Sequence, residues 1–446
     1  MHNSIAAIAT AHGVSSISII RVSGEVALGI AKKISHLENI IPRHAHLTSL
    51  YNAQDDLIDH AIMIYFAAPH SFTGEEIVEF QCHGGMIVAQ EILDTILSHG
   101  VRLAEPGEFS KRAFLNGKID LTEAEAISKL IEAKSVDAAK ILAKQMKGEL
   151  KFFVDESREA LLRSLAYSEV MIDYAEEDIP DDIMESIVKQ LDSLSEKIEQ
   201  IVDASHRRRG LIEGFKVAII GKPNVGKSSL LNALLSYDRA IVSDIAGTTR
   251  DTIEEQVRIG SHIIRLVDTA GIRDSEDTIE KIGIERSLSS VEDADVIIAL
   301  FDYSRVFDSE DEKIFSILEA LEDKHIIVAL NKSDLEHLLL IDKSHNFDTI
   351  EVSAKKGFVK LTQKLENLFD GIGEGEELML ISARQIEAVT QAKLSILEAK
   401  IPLLDGELEF FSYHLQEAVK AISSISKPYD SEEILDKMFG EFCLGK

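Results

Sequence analysis

The stretch Gly221-Lys222-Pro223-Asn224-Val225-Gly226-Lys227-Ser228 follows directly on the apolar run Val217–Ile220. A strand, a glycine-containing loop and a helix in this order form a cradle whose backbone N–H groups bind phosphate oxygens. In such a cradle Lys227 reaches the outer phosphates, and the Ser228 hydroxyl can ligate Mg2+. The stretch therefore predicts a P-loop for a nucleoside triphosphate, although an isolated match can also be an ordinary glycine-rich turn.

A second apolar run, Ile263–Val267, leads into Asp268-Thr269-Ala270-Gly271. A carboxylate at a strand end can hold the Mg2+ shell, and the Gly271 amide can approach the terminal phosphate. Between this motif and the P-loop lies Ser243-Asp244-Ile245-Ala246-Gly247-Thr248-Thr249-Arg250-Asp251, in which Thr249 is a predicted second Mg2+ ligand. This stretch has the position of a switch segment that the γ-phosphate and its metal order.

The base specificity follows from two further motifs. The run Ile326–Leu330 ends in Asn331-Lys332-Ser333-Asp334, and Thr349–Val352 ends in Ser353-Ala354-Lys355. The Asp334 carboxylate can accept hydrogen bonds from N1–H and the 2-amino group of guanine, and adenine offers neither donor. Backbone N–H groups of the second motif can read the 6-oxo group, so we expect GTP to be preferred over ATP.

Four motifs in this order and strand context argue against a chance match. Residues 213–371 therefore resemble a Ras-like α/β GTPase domain. Where such domains carry a glutamine that orients the attacking water, this chain has Ile272. Because phosphoryl transfer depends on positioning and electrostatics, another group must orient this water; the nearby candidates are Glu280, Glu285 and Arg273.

The composition indicates a globular protein. The chain has 446 residues, of which 45% are hydrophobic, so about two or three domains are expected. Its two cysteines, Cys82 and Cys443, are too few for a disulfide framework or a cysteine zinc site, and Cys82 is interpreted as a buried thiol. The start lacks a signal-peptide pattern, and no apolar run is long enough to span a bilayer. We therefore expect a soluble, cytoplasmic protein.

The net charge of −30 weighs against nonspecific binding of nucleic acid, since it repels a phosphate backbone. A local cationic cluster, His206-Arg207-Arg208-Arg209, is an exception. The preceding residues have helical spacing, and cations favour the C-terminus of a helix. We interpret the cluster as a helix end with Gly210 as its terminator.

The chain divides into four segments by pattern. Residues 1–118 contain short strand-like runs and one helical stretch, which predicts an α+β domain; these are Ile17–Val22, Ala61–Phe66 and Ile77–Phe80, with a helix near Val88–Leu97. Residues 119–212 and 372–446 have helical spacing, interrupted near Pro180, and Gly371–Glu377 is a predicted linker. The order predicts a multidomain protein in which the GTPase domain 213–371 is inserted into a central α-helical bundle.

Four pieces together resemble the MnmE (TrmE) family of tRNA-modification GTPases. They are the run Gly107–Ala126, the loop Thr73-Gly74-Glu75-Glu76, the stretch Asp244–Asp251 and the terminal Phe442-Cys443-Leu444-Gly445-Lys446. The resemblance covers essentially the whole chain. It implies an N-terminal domain that forms a homodimer and binds 5,10-methylene- or 5-formyl-tetrahydrofolate, with Arg21, Glu79, Lys118 and Lys446 at the matching positions.

The resemblance also implies catalytic partners in the GTPase domain. Family domains pair across the dimer around a K+ ion that replaces an arginine finger, and the matching positions are Asn224, Ser243, Ile245 and Thr248. Glu280 matches the acidic residue that orients water indirectly, and Cys443 matches a terminal cysteine implicated in the modification chemistry. The complete predicted nucleotide site comprises Asn224, Val225, Gly226, Lys227, Ser228, Ser229, Ser243, Asp244, Ile245, Ala246, Gly247, Thr248, Thr249, Asp268, Thr269, Ala270, Gly271, Asn331, Lys332, Ser333, Asp334, Ser353, Ala354 and Lys355.

The implied reaction adds an aminomethyl or carboxymethylaminomethyl group to C5 of the wobble uridine of certain tRNAs. It is carried out with the FAD-dependent partner MnmG (GidA), in a heterotetramer. The alternatives are an Era-like ribosome-assembly GTPase that acts as a binding switch, and a structural switch protein with negligible hydrolysis. One departure affects the folate site: Thr10–Ile17 lacks the proline and several of the glycines of the family loop.

Overall fold

The computed structural model shows two compact units. The first comprises residues 1–131, 145–187 and 394–446, and the second comprises residues 132–144 and 188–393. The structure describes residues 4–11, 13–133, 135–173, 181–237, 255–267, 291, 293–321, 324–340, 347–353, 355–373, 375, 378–427, 432–440, 442 and 445.

The strands and helices are numbered here in chain order. The strands are β1 (Ile5–Ile8), β2 (Ile17–Ser23), β3 (Ala45–Tyr51), β4 (Leu57–Phe66), β5 (Ile77–His83), β6 (Arg102–Leu103), β7 (Phe215–Ile220), β8 (Glu255–Ile259), β9 (His262–Val267), β10 (Val296–Asp302), β11 (His325–Asn331) and β12 (Asp348–Glu351). The helices are α1 (Ala27–Ser35), α2 (Met86–Ser98), α3 (Glu108–Leu115), α4 (Leu121–Glu132), α5 (Val136–Met146), α6 (Glu149–Asp173), α7 (Asp181–Glu213), α8 (Lys227–Tyr237), α9 (Ser309–Glu319), α10 (Val359–Gly373), α11 (Ala383–Asp405), α12 (Leu408–Ser423) and α13 (Glu432–Gly440).

The first unit contains a six-stranded sheet in the order β3-β4-β5-β2-β1-β6. All neighbouring pairs are antiparallel except β1 with β6. Along β4, Ala61, Met63 and Tyr65 are buried, while His60 and Ile62 are exposed, so the alternation of a half-buried strand is present. One sheet face packs on α1 and α2. The predicted N-terminal α+β fold is confirmed.

The helical part of the first unit is built around the long α6, which packs along α12. The buried hydroxyls of Ser168 and Ser412 join these helices at 2.7 Å. Helix α13 returns to α3, where a Cβ on Gly107 would lie 2.1 Å from the carbonyl oxygen of Phe439. This contact explains the glycine before α3, whose φ is +67°.

The second unit contains a six-stranded sheet in the order β12-β11-β10-β7-β9-β8, parallel except for the β8–β9 pair. Alternate residues of β7 lie in two core clusters: Val217 and Ile219 in one, Ala218 and Ile220 in the other. The sheet is therefore covered on both faces, as parallel sheets require. Its strand order puts the end of β7 between β9 and β10, where open α/β sheets bind ligands. The predicted P-loop α/β fold is confirmed.

Two predicted boundaries were wrong. Helix α7 does not end at Arg209 but continues to Glu213, and Gly214, at φ +88°, follows it. A Cβ on Gly210 would lie 2.2 Å from the Phe215 ring, so this glycine is required by packing and not by helix termination. The predicted linker begins too early as well, because α10 extends through Gly373.

One arginine of the cationic cluster of α7 has a different role from the one predicted. Arg208 is 7% exposed, and its Nη2 donates hydrogen bonds to the carbonyl oxygens of Gly373 (3.2 Å) and Gly375 (3.0 Å). The guanidinium thus stabilises the C-terminus of α10, not that of its own helix. Pro180, where an interruption was predicted, lies outside the described residues.

Across the described part of the chain, none of the helices combines the length and apolarity needed to cross a membrane.

Candidate functional site

The P-loop joins the end of β7 to the start of α8. Gly221 has a φ of +149°, and a Cβ there would lie 2.4 Å from the carbonyl oxygen of Leu300 in β10. Gly226 has a φ of +104°, and its Cβ would lie 2.2 Å from Nδ2 of Asn331. Both positions thus require glycine, and the loop curls in front of the α8 N-terminus.

Lys227 lies at the inner side of this loop. Its Nζ donates hydrogen bonds to the carbonyl oxygens of Gly221 (2.6 Å) and Lys222 (2.8 Å). Burial lowers the pKa of Lys227, because desolvation disfavours the ammonium. Ser228 and Ser229 follow in the first turn of α8. A desolvated ammonium beside a helix N-terminus is an arrangement that binds phosphate.

The predicted guanine motif contacts the P-loop directly. Nδ2 of the buried Asn331 donates to the carbonyl oxygen of Val225 at 2.8 Å, and Lys332 Nζ donates to that of Asn224 at 3.0 Å. Lys332 also pairs with Asp302 Oδ2 at 2.5 Å. The phosphate side and the base side of the site are therefore joined, because β7 and β11 flank β10 and end at the same sheet edge.

The carboxylate predicted to recognise guanine is oriented by the last motif. Asp334 Oδ1 accepts a hydrogen bond from Ser353 Oγ at 2.6 Å, and Oδ2 lies 3.2 Å from Lys355 Nζ. The hydrogen bonds from Ser353 and Lys355 lower the pKa of Asp334, so it is ionised at neutral pH. Ser333 N–H donates to the Val352 carbonyl at 3.1 Å, which fixes the two motifs side by side.

Several predicted site residues lie outside the described residues. For the nucleotide and metal sites these are Ser243, Asp244, Ile245, Ala246, Gly247, Thr248, Thr249, Asp268, Thr269, Ala270, Gly271, Glu280 and Ala354; for the other predicted sites they are Cys443 and Lys446.

The prediction missed two groups beside the P-loop. Asp302 ends β10, a strand that is buried along its whole length and that no motif marked. Lys222 Nζ lies 2.7 Å from both Asp308 and Asp311 at the start of α9. The sequence signal available for Asp302 was its place at the end of an apolar run, the same signal that marked the other motifs.

A second cluster of predicted residues lies in the N-terminal domain. Arg21 Nε donates to Glu79 Oε1 at 2.9 Å, from the neighbouring strand β5. The guanidinium carbon lies 5.9 Å from the centre of the Phe72 ring and 5.6 Å from that of Phe109. Arg21 Nη1 also donates to the carbonyl oxygen of Gly445 at 3.4 Å, so the C-terminal tail reaches this cluster.

The Thr73-Gly74-Glu75-Glu76 loop is held by a residue that the prediction missed. Arg112, which is 8% exposed, donates to Glu75 at 3.0 Å and to Glu108 at 3.0 Å. A Cβ on Gly74 would lie 3.0 Å from Cε of Lys118, so the Lys118 side chain runs along this loop. The structure thus brings Arg21 and Glu79 into a pair and puts Lys118 against the loop.

Cys82 is the buried thiol that was predicted: it is 2% exposed, and burial raises its pKa to about 11. Within the described ranges, no group of three or more His, Cys, Asp or Glu side chains is arranged to hold a metal ion.

Two family models match the chain. The model described as GTP-binding protein TrmE N-terminus matches residues 4–118, and the model described as MnmE helical domain matches residues 121–443. Among solved structures, Era in complex with MgGDPNP and nucleotides 1506-1542 of 16S ribosomal RNA is 30% identical over 41% of this chain and 66% of that chain, with a TM-score of 0.27.

Similar proteins extend over the full length. The tRNA modification GTPase MnmE of Sulfurovum sp. (strain NBC37-1) is 86% identical over 446 residues, which is 100% of this chain and 99% of that protein. Those of Aliarcobacter butzleri (strain RM4018) and Sulfurimonas denitrificans are each 58% identical over 445 residues, with the same coverage. This chain is a GTPase, and it belongs to the MnmE family of tRNA modification GTPases.

Proposed function

We propose that this GTPase modifies the wobble uridine of certain tRNAs, together with the FAD-dependent partner MnmG (GidA). The product carries an aminomethyl or carboxymethylaminomethyl group at C5, and its one-carbon unit comes from a tetrahydrofolate. The protein works as a cytoplasmic homodimer that assembles with the partner into a heterotetramer. A single-stranded anticodon base can be splayed into an active site, which suits chemistry at C5.

The observation that supports GTP as the nucleotide in this proposal is the junction of the P-loop and the guanine motif. Asn331 and Lys332 bind the loop carbonyls of Val225 and Asn224 while Asp334 is oriented by Ser353. A guanine held at Asp334 thus has its phosphates directed to Lys227. A site built on charged hydrogen bonds to the base discriminates strongly between GTP and ATP.

The P-loop serine fits a ligand of a nucleotide-bound Mg2+. Ser228, in the first turn of α8, would ligate the ion together with Thr249, and Asp268 would hold its water shell. A K+ ion beside Asn224, Ser243, Ile245 and Thr248 would neutralise the charge that develops between the phosphates. Glu280 would then orient the attacking water.

The cluster around Arg21 fits an anionic, aromatic donor such as 5-formyl-tetrahydrofolate. The Arg21 side chain is 23% exposed, and its guanidinium carbon lies 5.9 Å from the centre of the partly buried Phe72 ring, so a charge and an aromatic surface occur together. Lys118 and Lys446 would add cationic groups, and Glu79 would orient Arg21. Bound there, the folate supplies the one-carbon unit, and Cys443 would take part in the modification chemistry.

The proposal is tested by mass spectrometry of tRNA nucleosides from cells that lack this protein. We expect C5-modified wobble uridine to be lost and to return when the wild-type chain is supplied. Cys443→Ser should not restore it, although this variant should hydrolyse GTP at the wild-type rate. Unchanged wobble uridine in the deletion strain would overturn the proposal and favour an Era-like role.

The cation hypothesis has a separate test. GTP turnover is measured at equal ionic strength in K+ and in Na+, and we expect turnover to be at least about tenfold faster in K+, because removing one transition-state charge contact costs that much or more. Equal rates in the two salts would refute the K+ site without affecting the assignment of GTP.

A further inference from the structure

Lys222 occupies a position of the P-loop motif at which any residue is allowed, and the proposed site does not use it. Its Nζ donates hydrogen bonds to Asp308 Oδ2 and Asp311 Oδ2, each at 2.7 Å. The lysine side chain is 11% exposed and that of Asp311 is 4% exposed. The ammonium is therefore bound by two carboxylates, in contrast to Lys227, which hydrogen-bonds to loop carbonyls.

The two carboxylates belong to a rigid helix start. Asp308 is the N-cap of α9 and accepts hydrogen bonds from the backbone N–H groups of Glu310 and Asp311. The Asp311 side chain accepts the N–H of Asp308 at 3.1 Å, which completes a capping box. Because the backbone already orients both carboxylates, they form a fixed point to which Lys222 is bound. Burial lowers the pKa of Lys222, but the hydrogen bonds from its ammonium to Asp308 and Asp311 outweigh this effect, so the pKa is raised.

The backbone of the same residue is part of the phosphate cradle. The Lys222 carbonyl accepts the hydrogen bond from Lys227 at 2.8 Å. The other half of the loop is bound to the guanine motif, through the carbonyls of Asn224 and Val225. The loop is thus supported at both ends, and Lys222 supplies the support at its start.

Both supports involve one segment, residues 302–311, which runs from the last residue of β10 into the first turn of α9. Asp302 at its beginning pairs with Lys332 of the guanine motif, while Asp308 and Asp311 at its end pair with Lys222. This segment carries no nucleotide-binding motif. Three of its four carboxylates nevertheless contact the phosphate loop or the guanine motif.

We propose that Lys222 is a positioning residue for GTP hydrolysis: its pairing with Asp308 and Asp311 holds the P-loop against the start of α9, in the geometry that binds phosphate. The inference rests on the GTP site described above and deepens it. Without the lysine, the buried Asp311 charge keeps the N–H of Asp308 but loses its cationic partner, and the loop and helix must move apart or admit water.

The test compares Lys222→Met and Lys222→Arg in the full-length chain. Fluorescent GDP gives the dissociation constant, turnover in K+ gives kcat and KM for GTP, and 31P NMR reports the β-phosphate of bound GDP. The control is Lys364→Met, which removes the lysine of another ion pair of this unit, with Asp348 at the amino end of β12. All measurements are made well below the melting temperature.

We expect Lys222→Met to raise the GDP dissociation constant about tenfold and to lower kcat by up to about a hundredfold, since a small misplacement of binding groups costs that much. The 31P signal should shift. Lys222→Arg should restore most of the affinity, because a guanidinium can bond both carboxylates. Lys364→Met should match the wild type in all three measurements.

A double-mutant cycle separates positioning from general stability. Asp311→Asn combined with Lys222→Met should weaken GDP binding no more than Lys222→Met alone, since both act through one contact. Wild-type affinity and an unshifted 31P signal in Lys222→Met would overturn the inference, and so would strictly additive effects. If Lys222→Met does not fold, Asp308→Asn replaces it, and unchanged GDP affinity in that variant also overturns the inference. Failure of the wild-type chain to bind GDP would instead refute the proposed function.

Discussion

Gly210 lies in the last turns of α7, and its replacement by alanine tests the packing at the start of the GTPase domain. The new Cβ would lie 2.2 Å from Cδ1 and 2.5 Å from Cε1 of Phe215. The Phe215 ring cannot easily retreat, because it is 1% exposed and stacked 4.1 Å from the fully buried Phe369. Either the helix or the aromatic pair must therefore shift.

Two opposing effects set the magnitude. Overpacking a well-packed core costs about 1–3 kcal/mol. Alanine is favoured over glycine within a helix by about 1 kcal/mol, and by less in the last turns. The packing effect should dominate, so we expect Gly210→Ala to destabilise the second unit by about 1–2 kcal/mol. For a unit of this size, that lowers Tm by about 2–8 °C.

The assay is thermal unfolding with and without GDP, which identifies the transition of the nucleotide-binding unit because ligand raises its Tm. Gly371→Ala in α10 is the matched control, since nothing lies within 4 Å of a Cβ there. It should leave Tm unchanged or raise it. The reasoning is refuted if Gly210→Ala is as stable as the wild type while Gly371→Ala behaves as expected.

Three further outcomes are expected. Asp334→Asn should weaken GTP binding at least about a hundredfold and leave ATP binding unchanged, because an NH2 group replaces one of the two acceptor oxygens that the guanine donors need; competition against fluorescent GDP measures this, and an unaltered GTP to ATP ratio contradicts it. Arg21→Met should weaken binding of 5-formyl-tetrahydrofolate at least about tenfold in calorimetry without changing GTP turnover, and equal binding would remove Arg21 from the folate site. Burial raises the pKa of Asp302, but hydrogen bonds from Lys332 and Ser304 outweigh it, so the folded-state pKa lies below the ordinary 3.8. The stabilisation of the fold by ionised Asp302 is therefore complete above pH 3.8 and is lost as the pH falls through the lower folded-state pKa. In urea unfolding, the free energy of unfolding should fall less between pH 5 and pH 3 for Asp302→Asn than for the wild type, and equal falls would contradict this.

Local patterns predicted most of the elements correctly. The strand-like runs Ile17–Val22, Ala61–Phe66 and Ile77–Phe80 lie within β2, β4 and β5, and the predicted helix near Val88–Leu97 lies within α2. Hydrophobic alternation is decided by neighbours in sequence, so it can be read without the fold. β10 was missed although it is fully buried, because it ends in a single aspartate and no further motif residues.

Glycines show where a local rule fails. Gly210 was assigned to helix termination because a glycine after a cationic helix end often has that role. The structure shows that the glycine admits the Phe215 ring, which is a contact between a helix and the strand after it. Composition near Gly210 contained no information about this, since the shape of the core determines which Cβ atoms can be accommodated.

The sequence by itself determined that a phosphate loop is followed, in order, by the guanine motifs, and that an α+β domain precedes them. Strand periodicity and glycine spacing are properties of adjacent residues. The tertiary structure alone decided that Lys222 pairs with Asp308, 86 positions away, and that Arg208 stabilises the end of α10. Such partners depend on which distant segments the sheet brings together. Because the chain has a net charge of −30, many carboxylates could pair with a given lysine, and the fold determines which of them lie near it.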